Sequence, residues 1–459
     1  MTIRASDLWR FDGKIERAPF AVLGVALSIV KYGIDFALVN ALCGRTWTPL
    51  NYWMAGDSFG ALLYNDALAG ARWVLLGTAI PFCWAGVALT LRRLRSAGLP
   101  PWLVAVFFMP GLNFLLFVTL MLLPPREDSP ARRPAKDGYL ARIIPRSALG
   151  SALAAMAMTF IPIAALVLMG TKWLQNYGWG LFVGIPFLVG FFSTFFYEYH
   201  EPKGLLQSFG VTLASLVLLG GGLLLLAVEG MICILMASPI AIFIASFGTL
   251  IAHAISPREA RHASGTLLGL LLAVTVLMGA EKRVDPEPPL QAVRTSVEID
   301  APPDRVWRHV VSFTEIPPPD ELIFRSGLSY PLRAEIRGRG PGAVRHCVFT
   351  TGPFVEPIET WDEPRLLTFG VTAQPAPMEE WTPWRGIHPP HLDGYFVSRH
   401  GQFLLEPLPG DRTRLEGTTW YTHRMFPTIY WGLWSDAILH RIHGRVLRHV
   451  KHLAEEKGA

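Results

Sequence analysis

The sequence predicts a multi-pass α-helical membrane domain followed by a smaller soluble α+β domain. Three observations support this prediction. Residues 1–281 contain repeated apolar runs of about 20 residues, the length that crosses a bilayer. Only 17% of the residues are charged, against about 25% in typical soluble proteins. After residue 281 the long apolar runs stop, and short alternating segments precede a long helical pattern.

Eight apolar segments are candidate membrane spans, and each should be helical because a backbone in lipid must satisfy its own hydrogen bonds. They are 20–43, 73–91, 102–123, 148–170, 178–198, 207–228, 230–253 and 263–280. We divide them into a three-span unit at 1–123 and a five-span unit at 148–281, joined by a Pro-rich, charged linker at 124–147. A second linker, 282–292, leads to the soluble domain at 293–459.

The excess of basic charge lies in the membrane part, since the chain after residue 281 holds 21 Lys and Arg against 22 Asp and Glu. Basic loops indicate membrane orientation and contact with membrane lipids, and they give no reason to expect nucleic-acid binding. The four cysteines show no metal-like spacing.

The positive-inside rule conflicts with three full spans before the basic linker 124–147. If the basic N-terminus and the loop with Arg92, Arg93 and Arg95 are inside, a third span puts that linker outside. Either a segment within 44–123 crosses twice or re-enters, or the topology breaks the rule. Eight spans predict a cytoplasmic soluble domain, whereas an inside linker predicts an external one. We expect the bacterial inner (cytoplasmic) membrane with a cytoplasmic soluble domain.

Charged residues within the apolar part are few. Lys31 and Asp35 lie four residues apart on one face of the first span. They either neutralise each other or mark a functional site, because ionisable residues in a membrane are often functional. Glu229 stands at the joint of the sixth and seventh spans, either as a buried polar group or in an interfacial turn.

The N-terminal segment resembles a family of small uncharacterised bacterial inner-membrane proteins. The resemblance rests on "FDGKIERAPF" (11–20), "TLRRLRSAGLPPW" (90–102) and "PGLNFLLFVTLMLLPP" at the end of the third span. Arg95 and Ser96 stand where that family usually has a His-Asp pair. The resemblance implies a membrane location and no known chemistry.

The soluble domain begins with an alternating strand at 293–300, followed by a Pro-containing turn. Val306, Trp307, Val310 and Val311 then form the apolar stripe of a helix. Further strands are predicted at 331–338, 343–350, 354–361, 365–372, 395–406 and 412–422, with a hairpin turn at 408–412. A helix over 427–455 closes the domain, with apolar positions Ile429, Leu433, Ala437, Ile438, Ile442, Val446, Leu447 and Val450.

This order of elements, and the opening "VEIDAPPDRVWRHVVSF", resemble the START-like superfamily, also called SRPBCC or polyketide cyclase/dehydrase-like. The resemblance covers residues 293–455. It implies an α+β helix-grip fold, in which a curved antiparallel sheet surrounds the long C-terminal helix. It also implies a cavity for an apolar ligand. It does not specify a reaction, because the superfamily includes lipid carriers, cyclases and sensors.

The expected ligand-binding surface is the inner face of the late strands and the facing side of the last helix. The candidate ligand-binding residues are Tyr395, Phe403, Leu405, Trp420, Tyr421, His423, Leu433, Trp434 and Ala437. Each of them could equally be an ordinary core residue. The sequence identifies no catalytic residue.

The segment 373–394 is an unusual Pro- and Trp-rich insert between two strands. Its candidate lid residues are Trp381, Trp384, His388 and His391. It could instead be a rigid surface loop, or its tryptophans could rest in the lipid interface.

Histidines and acids near the insert and the last helix could form a metal site or act as general acid and base groups. The residues concerned are His388, His391, Asp393, His423, Asp436, His440 and His443. The histidines also fit a basic, solvated helix face. We therefore predict no metal and no cofactor, and no nucleotide-binding or Ser-His-Asp motif is present.

The function expected from these features is the membrane-anchored binding or sensing of a hydrophobic small molecule or lipid. One alternative is a cyclase- or hydratase-like enzyme acting on an apolar substrate. Another is a membrane assembly protein whose soluble domain docks a partner. The sequence makes no prediction of the oligomeric state.

Overall fold

The computed structural model describes residues 8–44, 46–52, 69–125, 139–255, 263–284, 288–384 and 387–456. The chain divides into two compact units. The first comprises Met1–Leu223 and Ala237–Asp285, and the second comprises Leu224–Met236 and Pro286–Ala459. The second unit therefore includes a short segment from the joint between two long apolar helices. Most of the linker 124–147 lies outside the described residues.

Seven helices in the described part of the chain are long and apolar enough to cross a membrane. They are Arg17–Cys43, Trp73–Ala97, Ala148–Leu174, Gly180–Tyr197, Leu205–Leu225, Met231–Ile255 and Gly265–Arg283. Four of them continue beyond these limits or change helix type within them; their α-helical bounds are Ala69–Ala97, Ala148–Leu168, Ile185–Tyr197 and Ala263–Val284. The π-helical turns Met169–Leu174 and Gly180–Gly184 account for the type changes. The short helices Pro49–Tyr52 and Tyr139–Ile143 complete this part of the chain, together with the segment described next.

The third predicted span, 102–123, is not a single helix, and its prediction as one continuous span is wrong. It consists of the 3-10 helix Pro101–Phe108 and the α-helix Leu112–Leu122. Gly111 between them has φ +75°, a conformation that interrupts a right-handed helix. The α-helix has 11 residues and a length of about 16 Å, well below the roughly 30 Å of a bilayer core.

The two halves of this segment form a hairpin. The buried Arg93, near the end of helix Ala69–Ala97, donates through Nε to Leu120 O at 3.0 Å and through Nη2 to Leu123 O. The segment thus returns to the end of the helix from which it started. Arg93 also caps the last carbonyls of the hairpin's second half, so this arginine is not a headgroup contact.

Lys31 and Asp35 form an ion pair on the first long helix. Asp35 is buried, and the Tyr52 hydroxyl also donates to its carboxylate. The geometry fits the neutralised-pair alternative.

The second unit contains seven strands, β1 Gln291–Ile299, β2 Pro331–Arg337, β3 Val344–Phe349, β4 Gly352–Asp362, β5 Leu366–Gly370, β6 Phe396–Leu408 and β7 Arg412–His423. They form one antiparallel sheet with strand order β1-β7-β6-β5-β4-β3-β2. The sheet curls as a half-barrel around the C-terminal helix Thr428–Glu455. The predicted fold class, apolar helices followed by a helix-grip domain, is confirmed.

Local chemistry explains several of these elements. The β6–β7 hairpin closes with Leu408 opposite Arg412, as predicted, and Gly410 and Asp411 take positive φ in its turn. Helix Pro303–Val311 begins with a proline at its first position. A backbone N–H at that position would have no acceptor within the helix, so the lack of one in proline costs nothing there. The short helix Leu322–Arg325 follows it.

Trp307 anchors the core at one end of the domain. It is 2% exposed, and its ring meets that of Trp361 edge to face at 5.7 Å. The core around it combines residues of the short helix, the sheet and the end of the C-terminal helix. Its members include Ile299, Val306, Val310, Leu367, Leu405, Leu415, Leu447 and Val450.

In its first half, the C-terminal helix buries a different face from the one that the sequence predicted. Ile429 and Leu433 were predicted in the apolar stripe but are 62% and 67% exposed, whereas Trp431 and Leu439 are buried. The buried residues Trp431, Leu439 and Val446 are each about two helical turns apart, so they share one face of the helix. This face packs toward the sheet and does not include Leu433.

Candidate functional site

A cavity of about 190 Å³ lies in the second unit between the inner face of the sheet and the C-terminal helix. The sheet contributes aromatic side chains to it, namely Phe349, Phe354, Phe369, Phe396 and Phe403. The helix contributes Trp431, Trp434, Ile438, Ile442 and Val446. The wall is therefore mostly apolar, as in sites that bind small hydrophobic molecules.

Strand alternation and helix periodicity explain which residues face the cavity. On β7, Gly417, Thr419 and His423, which lie on one face of the strand, line it together with their neighbour Thr418. Trp420 points to the opposite face, because successive side chains of a strand alternate. A β-carbon at Gly417 would be in ordinary van der Waals contact with the Phe403 ring, at 3.6 Å.

A buried ion pair lines one wall. Arg345 on β3 and Glu356 on β4 are directly opposite each other in the sheet, and the guanidinium donates to the carboxylate. Burial raises the pKa of Glu356, while Arg345 opposes this shift. The Arg345 guanidinium lies 5.5 Å from the ring centroids of Phe369 and Phe403 and 5.6 Å from that of Phe313. A cation held among aromatic rings is well placed to orient a polar group of a ligand.

Three titratable groups on the cavity wall are uncharged near neutral pH. Burial lowers the pKa of His423 to about 4. Burial, assisted by His440, lowers the pKa of His443 to about 4 as well, and its Nε2 lies 2.8 Å from Thr419 Oγ1. Burial raises the pKa of Cys347 to about 12, so this cysteine stays a thiol. The wall thus offers neutral hydrogen-bonding groups, which are compatible with an apolar ligand.

The segment Leu224–Met236 forms part of the same unit and reaches the cavity. Cys233 and Met236 line the cavity. The backbone N–H of Met231 donates to Trp381 O at 3.0 Å, which ties the segment to the insert 373–394.

A compact group of polar side chains forms where this segment meets the insert. Cys233 Sγ lies 2.9 Å from His391 Nε2, and Glu229 Oε2 lies 3.3 Å from His391 Nδ1. Glu380 Oε1 lies 3.7 Å from His391 Nε2. One donor atom from each of Glu229, Cys233 and His391 lies within 4.8 Å of the others, a spacing that a metal ion can bridge.

Three of the nine predicted ligand-binding residues, Phe403, His423 and Trp434, line the cavity. The other six do not line it, namely Tyr395, Leu405, Trp420, Tyr421, Leu433 and Ala437. A binding role for any of the nine stays a prediction.

The positions of these other residues have simple causes. Leu405 belongs to the core beside Trp307, where the space between sheet and helix is filled. Tyr421 is fully buried, and its hydroxyl donates to Asp436 Oδ1 at 2.6 Å. Burial, reinforced by that carboxylate, raises the pKa of Tyr421. Leu433 lies on the exposed side of the helix.

The four lid candidates occupy different environments. His391 is buried and lines the cavity. Trp381 and Trp384 are 60% and 51% exposed, and Trp384 donates through Nε1 to Leu225 O at 3.0 Å. His388 is exposed and its Nε2 lies 2.8 Å from Asp393. A lid role for the insert stays a prediction.

The His/Asp arrangement considered from the sequence is dispersed. His440 and His443 both approach Thr295, Asp436 binds Tyr421, and His388 pairs with Asp393. Among the described residues, His391 alone of that set belongs to a group spaced for a metal ion, and its neighbours there are Glu229 and Cys233.

Sequence reasoning missed several residues of the cavity wall. Arg345 and Cys347 share one face of β3, so alternation along "VRHCVF" could have placed a buried arginine there. Cys233 had no such signal, because nothing in the sequence connects the joint of two apolar spans with the soluble domain.

Comparison with protein families adds to this geometry. Residues 291–421 match the family model described as polyketide cyclase / dehydrase and lipid transport. A search of the curated proteins found no significant match.

Several solved structures are similar to the C-terminal part of the chain. Norcoclaurine synthase from Thalictrum flavum, in complex with dopamine and hydroxybenzaldehyde, is 13% identical over 38% of this chain and 90% of its own, with a TM-score of 0.26. The Zhui aromatase/cyclase from a Streptomyces species is 17% identical over 37% of this chain and 96% of its own, with a TM-score of 0.23. A protein from Nitrosospira multiformis is 16% identical over 36% of this chain and 98% of its own, with a TM-score of 0.24. These similarities carry no argument about function.

Proposed function

The C-terminal domain is a START-like domain of the polyketide cyclase/dehydrase and lipid transport type, and we propose a function for the chain on that basis. The chain is a membrane-anchored protein that binds or senses a hydrophobic small molecule in the cavity between the sheet and the C-terminal helix. The single observation that carries this proposal is the aromatic cavity of about 190 Å³.

The cavity favours a small ligand. A dry apolar cavity of about 150 Å³ holds a benzene molecule, so a space of about 190 Å³ suits a compact molecule of one or two rings. A whole diacyl lipid would not fit, although one chain end of such a lipid could enter.

The polar groups of the wall would orient the ligand. Arg345 is buried among Phe313, Phe369 and Phe403 and paired with Glu356. A carbonyl or hydroxyl group on the ligand could accept a hydrogen bond from the guanidinium. Binding would then combine apolar burial with one directional contact.

An enzyme acting on an apolar substrate remains the alternative from the sequence. Catalysis by His423 or His443 as a general base would be inefficient near neutral pH, because an effective base has a pKa close to the working pH. Burial lowers the pKa of both histidines to about 4. This supports binding over acid–base catalysis by these two side chains.

We infer that the hairpin at residues 101–122 enters and leaves the membrane on one side. If the seven long apolar helices of the described residues are the crossings, the basic N-terminus, the loop containing Arg92 and Arg95, and the linker 124–147 are all on the inner side, as the positive-inside rule requires. The C-terminal domain then lies outside the bacterial inner membrane. This reverses the side expected from eight spans.

Native mass spectrometry of the full chain released from detergent tests ligand binding. We expect a co-purified small molecule on the unmodified chain. The variant Ile442→Trp should lose this molecule, because the larger side chain projects into the cavity. The matched control Leu433→Trp adds the same bulk at an exposed position of the same helix and should retain it.

The binding proposal is overturned if a correctly folded Ile442→Trp chain carries as much ligand as the unmodified chain. It is also overturned if no bound molecule is found and a panel of one- and two-ring apolar compounds binds both variants equally. A reporter fused after Ala459 tests the topology. Activity of an export-dependent reporter is expected, and cytoplasmic behaviour would restore the arrangement with eight crossings.

A further inference from the structure

We propose that Cys233, His391 and the carboxylates of Glu229 and Glu380 form a binding site for a divalent transition-metal ion of the zinc class. All four residues belong to the second unit. The proposal does not depend on the identity of the ligand in the apolar cavity.

The donor set is chemically suited to zinc. Zn²⁺ is bound by thiolate sulfur, imidazole nitrogen and carboxylate oxygen, and such sites are usually tetrahedral. Bond lengths of about 2.0–2.3 Å place the ligand atoms of a tetrahedral site roughly 3.3–3.6 Å apart. The distances to His391 Nε2 lie on either side of that range, at 2.9 Å from Cys233 Sγ and 3.7 Å from Glu380 Oε1. Glu229 Oε2 lies 3.3 Å from the other ring nitrogen, Nδ1.

The two carboxylates face different nitrogens of the imidazole. Glu380 and Cys233 approach His391 Nε2, whereas Glu229 approaches Nδ1. A cation bound at one nitrogen would leave the other facing a carboxylate that orients the ring, an arrangement common among metal-binding histidines. One carboxylate is thus a ligand of the metal ion. The second either is a further ligand or orients the imidazole by a hydrogen bond.

Glu380 provides an independent indication of a ligand. Its side chain is fully buried, and within the described residues neither carboxylate oxygen has a hydrogen-bond partner outside the proposed site, where the Cys233 thiol and His391 Nε2 are its neighbours. A buried carboxylate without such a partner is costly unless a cation or a proton satisfies it. A divalent ion between Glu380, Cys233 and His391 would remove this cost.

The absence of a side chain at Gly230 leaves space for the Glu380 carboxylate. A β-carbon on Gly230 would lie 1.9 Å from Glu380 Oε2, so only glycine leaves room for the carboxylate at this point. The hydrogen bond between Met231 N and Trp381 O holds the two contributing segments together immediately beside the group.

The same arrangement could be read as a thiol nucleophile, in which His391 acts as a base and Glu229 orients it. Charge argues against this reading. Reactive cysteines lie in electropositive surroundings that stabilise the thiolate. Here carboxylates flank the Cys233–His391 pair, so their negative charge would destabilise a free thiolate. Around a divalent cation, the same carboxylates and a thiolate could act together as ligands.

One side of the proposed site opens toward the apolar cavity, because both Cys233 and His391 line it. A metal with an open coordination position can bind and polarise an oxygen atom of a ligand. The site would therefore present a Lewis acid at the wall of the cavity.

Metal analysis of the full chain in detergent, purified without a polyhistidine tag, tests the proposal. We expect close to one equivalent of zinc per chain. After removal of the metal by a chelator, added Co²⁺ should give the intense near-ultraviolet absorption of a cobalt–thiolate bond. This band should be absent from Cys233→Ser and present in Cys83→Ser, whose cysteine is exposed on another helix.

Competition with a chromophoric zinc chelator measures the contribution of each residue. His391→Gln should weaken binding by more than about 100-fold, since even residues that only orient a ligand contribute about 10–100-fold. The matched control His388→Gln lies in the same insert and should leave the affinity unchanged. Comparing Glu229→Gln with Glu380→Gln identifies the carboxylate that is the ligand, and Gly230→Ala should weaken binding by displacing Glu380.

The proposal is overturned if neither Zn²⁺ nor Co²⁺ binds at one equivalent, or if folded Cys233→Ser and His391→Gln chains bind as tightly as the unmodified chain. Iodoacetamide provides a second measurement on the unmodified chain. Zinc should protect Cys233 from alkylation. Rapid alkylation that Zn²⁺ does not slow would contradict the metal site and support the thiol nucleophile.

Discussion

The two ends of the C-terminal helix pack against the same sheet with different results. At the end that we call the closed end, Leu447, Val450 and Ala454 join Trp307 and Leu415 in a continuous apolar core. Leu447 also reaches the cavity, whereas Trp307, Leu415, Val450 and Ala454 do not line it. This core provides the burial that stabilises the domain.

At the other end, which we call the cavity end, the helix and the sheet diverge around a space of about 190 Å³. Polar groups such as Arg345, Glu356 and His443 take part in its wall. A domain can tolerate such a cavity when the apolar core elsewhere supplies enough stability. The apolar core and the cavity therefore lie at different ends of one helix, so substitutions at the two ends should have different effects.

The largest effect on stability is expected at the closed end. Trp307→Ala should lower the free energy of unfolding by about 3–5 kcal/mol, the range for removal of a large buried aromatic side chain. Urea titration followed by the loss of β-sheet circular dichroism measures this change. A loss below about 1 kcal/mol would show that Trp307 does not anchor the core and that the comparison is wrong.

The second prediction concerns the buried pair at the boundary between the two ends. Glu356→Gln should cost about 3–5 kcal/mol, because it leaves the Arg345 charge buried without its partner. The control is the double variant Arg345→Met with Glu356→Leu, which removes both charges and should recover most of that loss. If the single and double variants are equally destabilised, packing and not charge pairing determines the effect.

The third prediction is a pH dependence that originates at the cavity end. His443 in the folded chain takes up a proton only near pH 4, whereas the unfolded chain takes it up near pH 6.5. The unfolded state therefore binds more protons between these values, and the free energy of unfolding should fall as the pH is lowered from about 6.5 to 4. The loss should reach about 3 kcal/mol for this histidine, and His423 should add to it.

Urea titrations between pH 7 and pH 4 measure this dependence. His443→Gln should reduce the slope, whereas the control His452→Gln, at an exposed position of the same helix, should leave it unchanged. An unchanged slope in His443→Gln would mean that His443 is not buried as a neutral side chain.

The smallest effect on stability is expected in the insert. Trp384→Ala should lower the free energy of unfolding by about 1 kcal/mol, because half of the side chain is exposed and its loss removes one hydrogen bond, to Leu225 O. If the insert acts as a lid, the same variant should release the co-purified ligand faster in native mass spectrometry. Unchanged release from both Trp384→Ala and Trp381→Ala would remove the lid hypothesis and leave a surface loop or a docking site.

Much of the C-terminal domain could be predicted from the sequence, because its signals are local. The alternation in β1, the turn residues of the β6–β7 hairpin and the stripe around Trp307 each lie within a few residues of one another. Strand period, turn chemistry and helix period are properties of such short segments. They predicted the order of the elements and the burial of Trp307.

The position of the hairpin at residues 101–122 could not be predicted in this way, although the charge pattern left open that some segment within 44–123 re-enters the membrane. Its apolar length equals that of a membrane span, and hydropathy does not distinguish a crossing from a return. The distinction depends on Gly111 and on the contacts of Arg93 with carbonyls some 30 residues away along the chain.

The sequence by itself determined the division into apolar helices and an α+β domain, the succession of strands and the closed end of the core, since these follow from the period and composition of short segments. Only the tertiary structure decided which side of the C-terminal helix faces the cavity, and that Cys233 meets His391 across 158 positions of the chain. The physical reason is that such contacts arise from the packing of distant segments, and no local pattern of residues encodes which distant segment will pack there.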